Sequence, residues 1–245
     1  MTQDPQNTPS TDSPPAAPPL CGLLVVDKPI GWSSMTVVRY VRRAANKTKT
    51  GHAGTLDPLA TGVVVCCLGR ATKCVDQLMG LTKIYETTVD LSAFTTTDDM
   101  EGEREEVVVT TPPTREQVQA VLPQFIGEVQ QTPSAFSAIH IKGERAYKLA
   151  RQGKKVDMPP RIVRIDTIEL LDYAWPMLSL RVTCGKGTYI RSLGRDIGKA
   201  LGAGGHLASL RRTAVGEYDL SMAVTKERFD SPITQVDLLP ALERL

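Results

Sequence analysis

Histidine is scarce in this chain. His52, His140 and His206 stand too far apart in sequence to make a local zinc motif, which points away from a metal enzyme. The five cysteines, Cys21, Cys66, Cys67, Cys74 and Cys184, include no C-x-x-C pair. Cys66 and Cys67 fall inside the apolar run VVVCCL, where free thiols pack as small hydrophobes. No apolar stretch approaches the length of a membrane span. The opening MTQDPQNTPSTDSPPAAPPL lacks both the basic start and the apolar centre of a secretory signal. With six prolines and no aromatic residue, it has the composition of a disordered tail over residues 1–19. A cytoplasmic location, with no membrane partner, follows by default. Residues 20–245 have the length of one large domain and, across the chain, an ordinary 41% of apolar and 23% of charged residues.

The net charge of +2 does not announce a nucleic-acid binder, but its distribution is uneven. Acidic residues are absent from Lys28 to Leu56, a stretch that holds Lys28, Arg39, Arg42, Arg43, Lys47 and Lys49. From Ile139 to Arg164, eight bases, among them Lys142, Arg145, Arg151, Lys154 and Lys155, meet only Glu144 and Asp157. From Arg181 to Arg212, seven bases, Arg211 among them, meet only Asp196. The acids gather elsewhere, notably in DDMEGEREE. One such cluster is an ordinary solvated face; three together suggest a polyanion held on one side, with Arg42, Arg43, Lys142, Arg145, Arg151, Lys154, Lys155 and Arg211 against its backbone.

Periodicity places the elements. LLVV reads as a buried strand ending in the turn DKPIG, and Ser33 or Ser34 can cap a helix over MTVVRYVRRAANK with Val37, Val38, Val41 and Ala45 on one face. After KTKTGHAGT comes one helical turn, DPLATG, then the buried strand VVVCCLG and a helix over RATKCVDQLMG. YETTVDL alternates as a strand and TTTDDMEGE is a polar turn. TREQVQAVLPQFIG opens on a capping box, Thr114 and Gln117, and Pro123 kinks it late. QQTPSAFSAIHIKGERAYKLARQGKKVDMPPR reads as a hairpin followed by a helix. IDTIELLDYAW and MLSLRVTC are strands. GKGTYIRSLGRDIGKALG is a helix with Arg191, Arg195 and Lys199 in a stripe. Strands and helices mix without regular βαβ alternation, which favours α+β.

Taken alone, Asp57 in GHAGTLDPLATG reads as a helix cap before Pro58. Four separated segments give it another reading. GLLVVDKPIGWSS, GHAGTLDPLATG with LGRATK, LTKIYETTVDL, and CGKGTYIRSLGRDIGKALG with LRRTAVGEY together resemble the TruB family, bacterial tRNA synthases that make pseudouridine from uridine 55 of the T loop. PSAFSAIHIKGERAYKLARQG is similar to that family's mobile insertion, about residues 131–161. The resemblance runs from about Cys21 to Tyr218. It implies a pseudouridine synthase fold, a mixed and mostly antiparallel sheet flanked by helices with a basic RNA-binding insertion. It also implies an isomerase that breaks the uridine N1–C1′ bond, turns the base and joins C5 to C1′, with no redox cofactor, metal or ATP. By the same resemblance Asp57 is the essential carboxylate, Tyr85 lies against the target base, and Tyr189 and Arg191 complete the pocket. His52 and Leu210 touch substrate or RNA, and Lys28 and Pro29 support the aspartate loop.

The chemistry suits these residue types. Uracil leaves reluctantly, so a buried carboxylate can attack C1′ or C6, or take a sugar proton; the sequence does not choose. A neighbouring arginine keeps the carboxylate ionised through a bidentate contact. Water must be excluded, so a closed aromatic pocket is expected. A T-loop uridine has to be flipped out, and Tyr85 offers a stacking face. The chain departs from the family turn L-G-x-x-T-D-T-x-D-x-x-G with Ser92 and Thr96, and has His140 where lysine is usual. It also ends too soon for the C-terminal RNA-binding domain of many relatives. The expected partner is the T arm of tRNA, and the expected state a monomer. The alternatives are a guide-RNA-dependent synthase, which relies on that C-terminal domain, and a non-catalytic RNA-binding or folding protein, against which Asp57, Tyr85 and Arg191 argue.

Overall fold

Strands β1 (Gly22–Lys28) and β3 (Thr61–Leu68) are apolar at nearly every position because both of their faces are covered. Leu24, Val26, Val64, Cys66 and Leu68 enter one core, and Leu23, Val25, Val63, Val65 and Cys67 the other. Burial pushes both thiols up, that of Cys67 to about 12, and all five cysteines are free. The computed structural model describes residues 19–134 and 156–242, with Phe136, 140–141, 144–146, Leu149 and Gln152 between them. The tail expected before residue 19 and the helix expected within the insertion lie outside the described residues.

The architecture is α+β. One sheet joins β1 and β3 to β12 (His206–Val215), β4 (Lys83–Asp90), β11 (Met177–Cys184), β10 (Arg161–Ala174) and β7 (Gly127–Gln131), in that order. β2 (Thr50–His52) pairs with β3 and β13 (Tyr218–Asp219) with β12, making nine strands. Every pairing is antiparallel except β3 with β12. The alternation in β11 is that of a half-buried strand: Leu178, Leu180, Val182 and Cys184 are buried. Smaller hairpins are β5 (Ala93–Thr95) with β6 (Arg104–Glu106), and β8 (His140–Ile141) with β9 (Glu144–Arg145).

Helix α1 (Ser34–Ala44) buries Val37, Val38 and Val41 and leaves Arg39, Arg42 and Arg43 exposed. The single helix expected over RATKCVDQLMG divides into a 3-10 turn, Gly69–Cys74, and α2 (Val75–Gly80). Thr72 Oγ1 donates to the Gly69 carbonyl at 2.9 Å and holds that tighter winding. The capping box forms at α3 (Arg115–Val121), and the α-helix gives way to a 3-10 turn at Leu122 because Pro123 has no N–H to continue it. Helix α4 (Ile190–Ala200) lies so close to the chain after it that a Cβ on Gly198 would sit 1.9 Å from the Gly204 carbonyl oxygen. No helix among the described residues is long and apolar enough to cross a membrane.

The chain returns at its end to its first strand. Leu23 exchanges hydrogen bonds of 2.8 Å with Leu239, and the Asp27 N–H and Val25 carbonyl bond the Val224 backbone at 2.9 Å. The outer edge of β1 is thereby paired.

The wedge where β3 meets β12 admits no side chain. Gly62 has φ +100°, and a Cβ there would lie 2.1 Å from the Arg212 carbonyl oxygen. Gly62→Ala is expected to cost about 2–4 kcal/mol of stability in urea unfolding. A variant as stable as the parent would show that the strands can part here freely.

Candidate active site

The segment between β2 and β3 makes a single hydrogen-bonded turn, Ala60 N–H to the Asp57 carbonyl at 3.1 Å, and no helix. Asp57 therefore has nothing to cap, because Thr61 already starts a strand. The segment is pinned from several sides. Ser33 caps α1, its Oγ accepting the Thr36 N–H at 3.0 Å, which frees Ser34 to point inward. Ser34 Oγ accepts the Leu56 N–H at 2.8 Å and donates to the Leu56 carbonyl at 3.2 Å. The Gly31 N–H donates to the Pro58 carbonyl at 2.8 Å. Lys28 is fully buried, and its Nζ donates to the carbonyls of Trp32 at 2.6 Å, Pro29 at 3.2 Å and Pro58 at 3.5 Å.

Arg191, in the first turn of α4, reaches the Asp57 carboxylate through one nitrogen, Nη2 to Oδ2 at 3.0 Å. The bidentate contact expected of this pair is absent, because the guanidinium is shared. Its Nη1 holds Asp99 Oδ2 at 3.0 Å and the Thr97 carbonyl at 3.0 Å, and Nη2 donates to the Phe136 carbonyl at 3.1 Å. The Asp99 side chain is 2% exposed and that of Asp57 39%. Asp57 is thus half-open rather than buried as expected, while the arginine that orients it is buried against a second carboxylate. Tyr189 precedes α4, and the buried Gln131 clasps its backbone: Oε1 accepts the Tyr189 N–H at 3.0 Å and Nε2 donates to its carbonyl at 3.3 Å.

These elements enclose a cavity of about 310 Å³ lined by Asp57, Tyr85, Tyr189, Arg191 and Leu210, with Lys83 and Arg212 behind. It is a half-open cleft, not the closed pocket expected, since Asp57 stands at its rim. Burial raises the Tyr85 hydroxyl above the ordinary phenol range, keeping it protonated. His52 does not line this cavity. It sits on β2 opposite Cys66, its Nδ1 is buried without a hydrogen bond, and burial, then the charge of Arg212, lowers its pKa toward the neutral ring. Among the described residues no three His, Cys, Asp or Glu side chains gather as metal ligands.

In the third basic segment the charge segregation seen in sequence does not persist in space. Of the seven bases from Arg181 to Arg212, four are engaged by carboxylates from other segments. Arg181 pairs with Glu86 at 2.9 Å and Glu169 at 3.2 Å, Arg191 with Asp57 and Asp99, Arg195 with Asp98 at 2.7 Å, and Arg211 with Asp27 at 2.8 Å. Lys28, counted in the first cluster, is buried, whereas Arg42 and Arg43 are exposed on α1. Lys142, Arg151, Lys154 and Lys155 lie outside the described residues, and Arg145 is described only as backbone in β9. Asp99, Ser34 and Gln131 escaped the sequence reading. Asp99 stood in a turn that reads only as polar, and Ser34 beside a serine that caps equally well.

A family profile described as TruB family pseudouridylate synthase (N terminal domain) matches residues 42–190, and one described as tRNA pseudouridylate synthase B C-terminal domain matches residues 191–237. The tRNA pseudouridine synthase B of Parabacteroides distasonis is 46% identical over 219 residues, covering 87% of this chain and 93% of the relative. That of Caulobacter vibrioides is 48% identical over 222 residues, covering 90% and 71%. Among solved structures, a chain of the archaeal box H/ACA sRNP Nop10–Cbf5 complex superposes with a TM-score of 0.62 at 30% identity over 85% of this chain. This chain spans about half, 52%, of that one.

Lys28 offers a test of the loop clamp. Burial lowers its pKa from 10.5 to about 8, against the pull of Asp57. The folded protein then binds fewer protons than the unfolded chain between those two values. The cost of burying the charge is full below pH 8 and relieved as pH rises toward 10.5. Between pH 7 and about 9.5 the stability of wild type relative to Lys28→Met should therefore rise by about 2 kcal/mol. Urea unfolding of both proteins at the two pH values checks this, and an unchanged difference would mean an ordinary lysine.

Proposed function

This chain belongs to the TruB family of pseudouridylate synthases, and we propose that Asp57 is the carboxylate through which it acts on uridine 55 of the tRNA T loop. The activity is the isomerisation of a tRNA uridine to pseudouridine. In that reaction the N1–C1′ bond breaks, the ring turns, C5 bonds to C1′, and the proton lost from C5 is balanced by one gained at N1. The observation that carries the assignment is that, among the described residues, Asp57 is the single carboxylate lining the cavity. An arginine at 3.0 Å pairs with it and fixes the direction of one oxygen.

The other roles follow from position. Tyr85 and Tyr189 give flat faces to a uracil extruded from its loop, and Leu210 closes the floor. Lys28, with Pro29 beside it, holds the aspartate segment from below. His52, which does not line the cavity, is assigned to RNA around the flipped nucleotide rather than to the base itself, on the family resemblance. Exposed Arg42 and Arg43 are assigned to the RNA backbone, as are, on charge alone, Lys142, Arg145, Arg151, Lys154 and Lys155. Arg211, tied to Asp27, is the weakest of that set. The insertion of about residues 131–161 belongs to the same catalytic domain, and one chain acts on one T arm.

Asp57→Asn should leave tRNA affinity within about twofold of wild type and abolish conversion, to below about one per cent. Pseudouridine at position 55 is read by mass spectrometry of tRNA after cyanoethylation. Residual turnover above that level would move the essential group elsewhere, and modification mapped to another uridine would overturn the site assignment.

A further inference from the structure

Lys28, Lys83, Arg191 and Arg212 are buried cations, and the last three line the cavity. Arg191 is held by two carboxylates, Lys28 by three carbonyls, and Lys83 by the carbonyls of Met79 and Leu81 at 2.5 Å. Arg212 is 1% exposed and, like the two lysines, has no carboxylate within ion-pair distance among the described residues; unlike them, an arginine cannot relieve burial by giving up its proton. A buried guanidinium left without an anion is costly, and such a charge beside a cleft is a candidate for a functional role.

Its contacts are directed at the site. Nη2 donates to the carbonyl of Gly54, three residues before Asp57, at 3.1 Å, and Nε donates to the carbonyl of Val63, in the strand that leaves the aspartate segment, at 2.8 Å. One side chain therefore brackets that segment from behind. In the β12–β4 register Arg212 stands directly opposite Tyr85, and Leu210 lies two residues earlier on the same face; all three line the cavity. The charge is felt around the cleft. After burial it is the next cause lowering Lys83 and His52, and it opposes the burial-driven rise of Tyr85.

We propose that Arg212 is a positioning residue for the isomerisation, its uncompensated charge holding Tyr85 and the Asp57 segment in place and favouring the electron density that gathers on uracil. This deepens the functional reading above and rests on it. Whether the aspartate attacks C1′, attacks C6 or removes a sugar proton, electrons move onto the uracil ring before C5 bonds to C1′. The positive charge behind Tyr85 is already in position, and it needs no reorganisation when that density appears.

Arg212→Gln keeps hydrogen-bond donors and loses the charge; Arg212→Lys keeps the charge and loses the fork. The Gln variant should lower the single-turnover rate of tRNA modification about a hundredfold with tRNA Kd within about threefold. The Lys variant should recover to within about tenfold of wild type. A bracing role alone predicts the reverse ranking, or equal losses that follow the drop in Tm. Gln within about threefold of wild type, or equal rates for the two variants, overturns the inference. Should the Gln variant fail to fold, the Lys variant decides: a folded Lys protein slower by more than about a hundredfold means charge is not what the position supplies. Wild-type conversion is the control that separates the two levels. No pseudouridine from wild type would sink the functional reading, whereas an active wild type matched by Arg212→Gln sinks only the role of Arg212.

Discussion

One guanidinium organises the centre of this protein. Arg191 is buried between two carboxylates that could hardly differ more in exposure, Asp99 sealed in the interior and Asp57 open to the cleft. The inner pair neutralises the arginine as α4 packs, while the outer one directs a charge at whatever enters. Removing either partner of the buried pair would leave a charge in a low-dielectric setting, a loss of about 3–5 kcal/mol. The acidic turn must therefore be placed before the cleft can exist. It is placed by backbone: Asp98 accepts the Leu207 N–H at 3.0 Å, and Thr97 offers its carbonyl to the arginine itself. Sheet, helix and turn meet at this single side chain.

Much of this was legible from the order of residues. The helical spacing of Val37, Val38 and Val41, the capping box at Thr114 and the alternation in β11 all report burial patterns that local sequence expresses directly. So do the continuous apolar runs of β1 and β3, and the α+β architecture agrees with the family resemblance. What escaped is what depends on pairing across distance. The sequence separation of 92 between Asp99 and Arg191 leaves no periodicity to read. Asp57 looked like a cap because Asp-Pro is a local signal, and the immediate return to strand at Thr61 outweighs it.

Charge shows the same limit more sharply. Runs of arginine and lysine suggested one continuous basic face, yet Arg181, Arg195 and Arg211 each meet a carboxylate brought from elsewhere by the sheet register. Clusters along a chain translate into a surface only where the element stays at the edge, as α1 does with Arg39, Arg42 and Arg43. The substituted turn is instructive as well. Ser92 uses both its N–H and its hydroxyl on Asp90, and Thr96 Oγ1 accepts the Glu103 N–H at 3.1 Å, so different side chains sustain the turn that delivers Asp99.

The return of the chain to its own first strand ties the timing of folding to synthesis. β1 ends in Lys28, which clamps the aspartate segment, but the free edge of that strand is closed only by Val224 and Leu239. Contacts of such sequence separation form late, because their loop-closure entropy must be overcome first. On the ribosome, the strand that underpins the cleft would wait with one edge unpaired until residues 224 to 239, about two hundred positions later, had emerged.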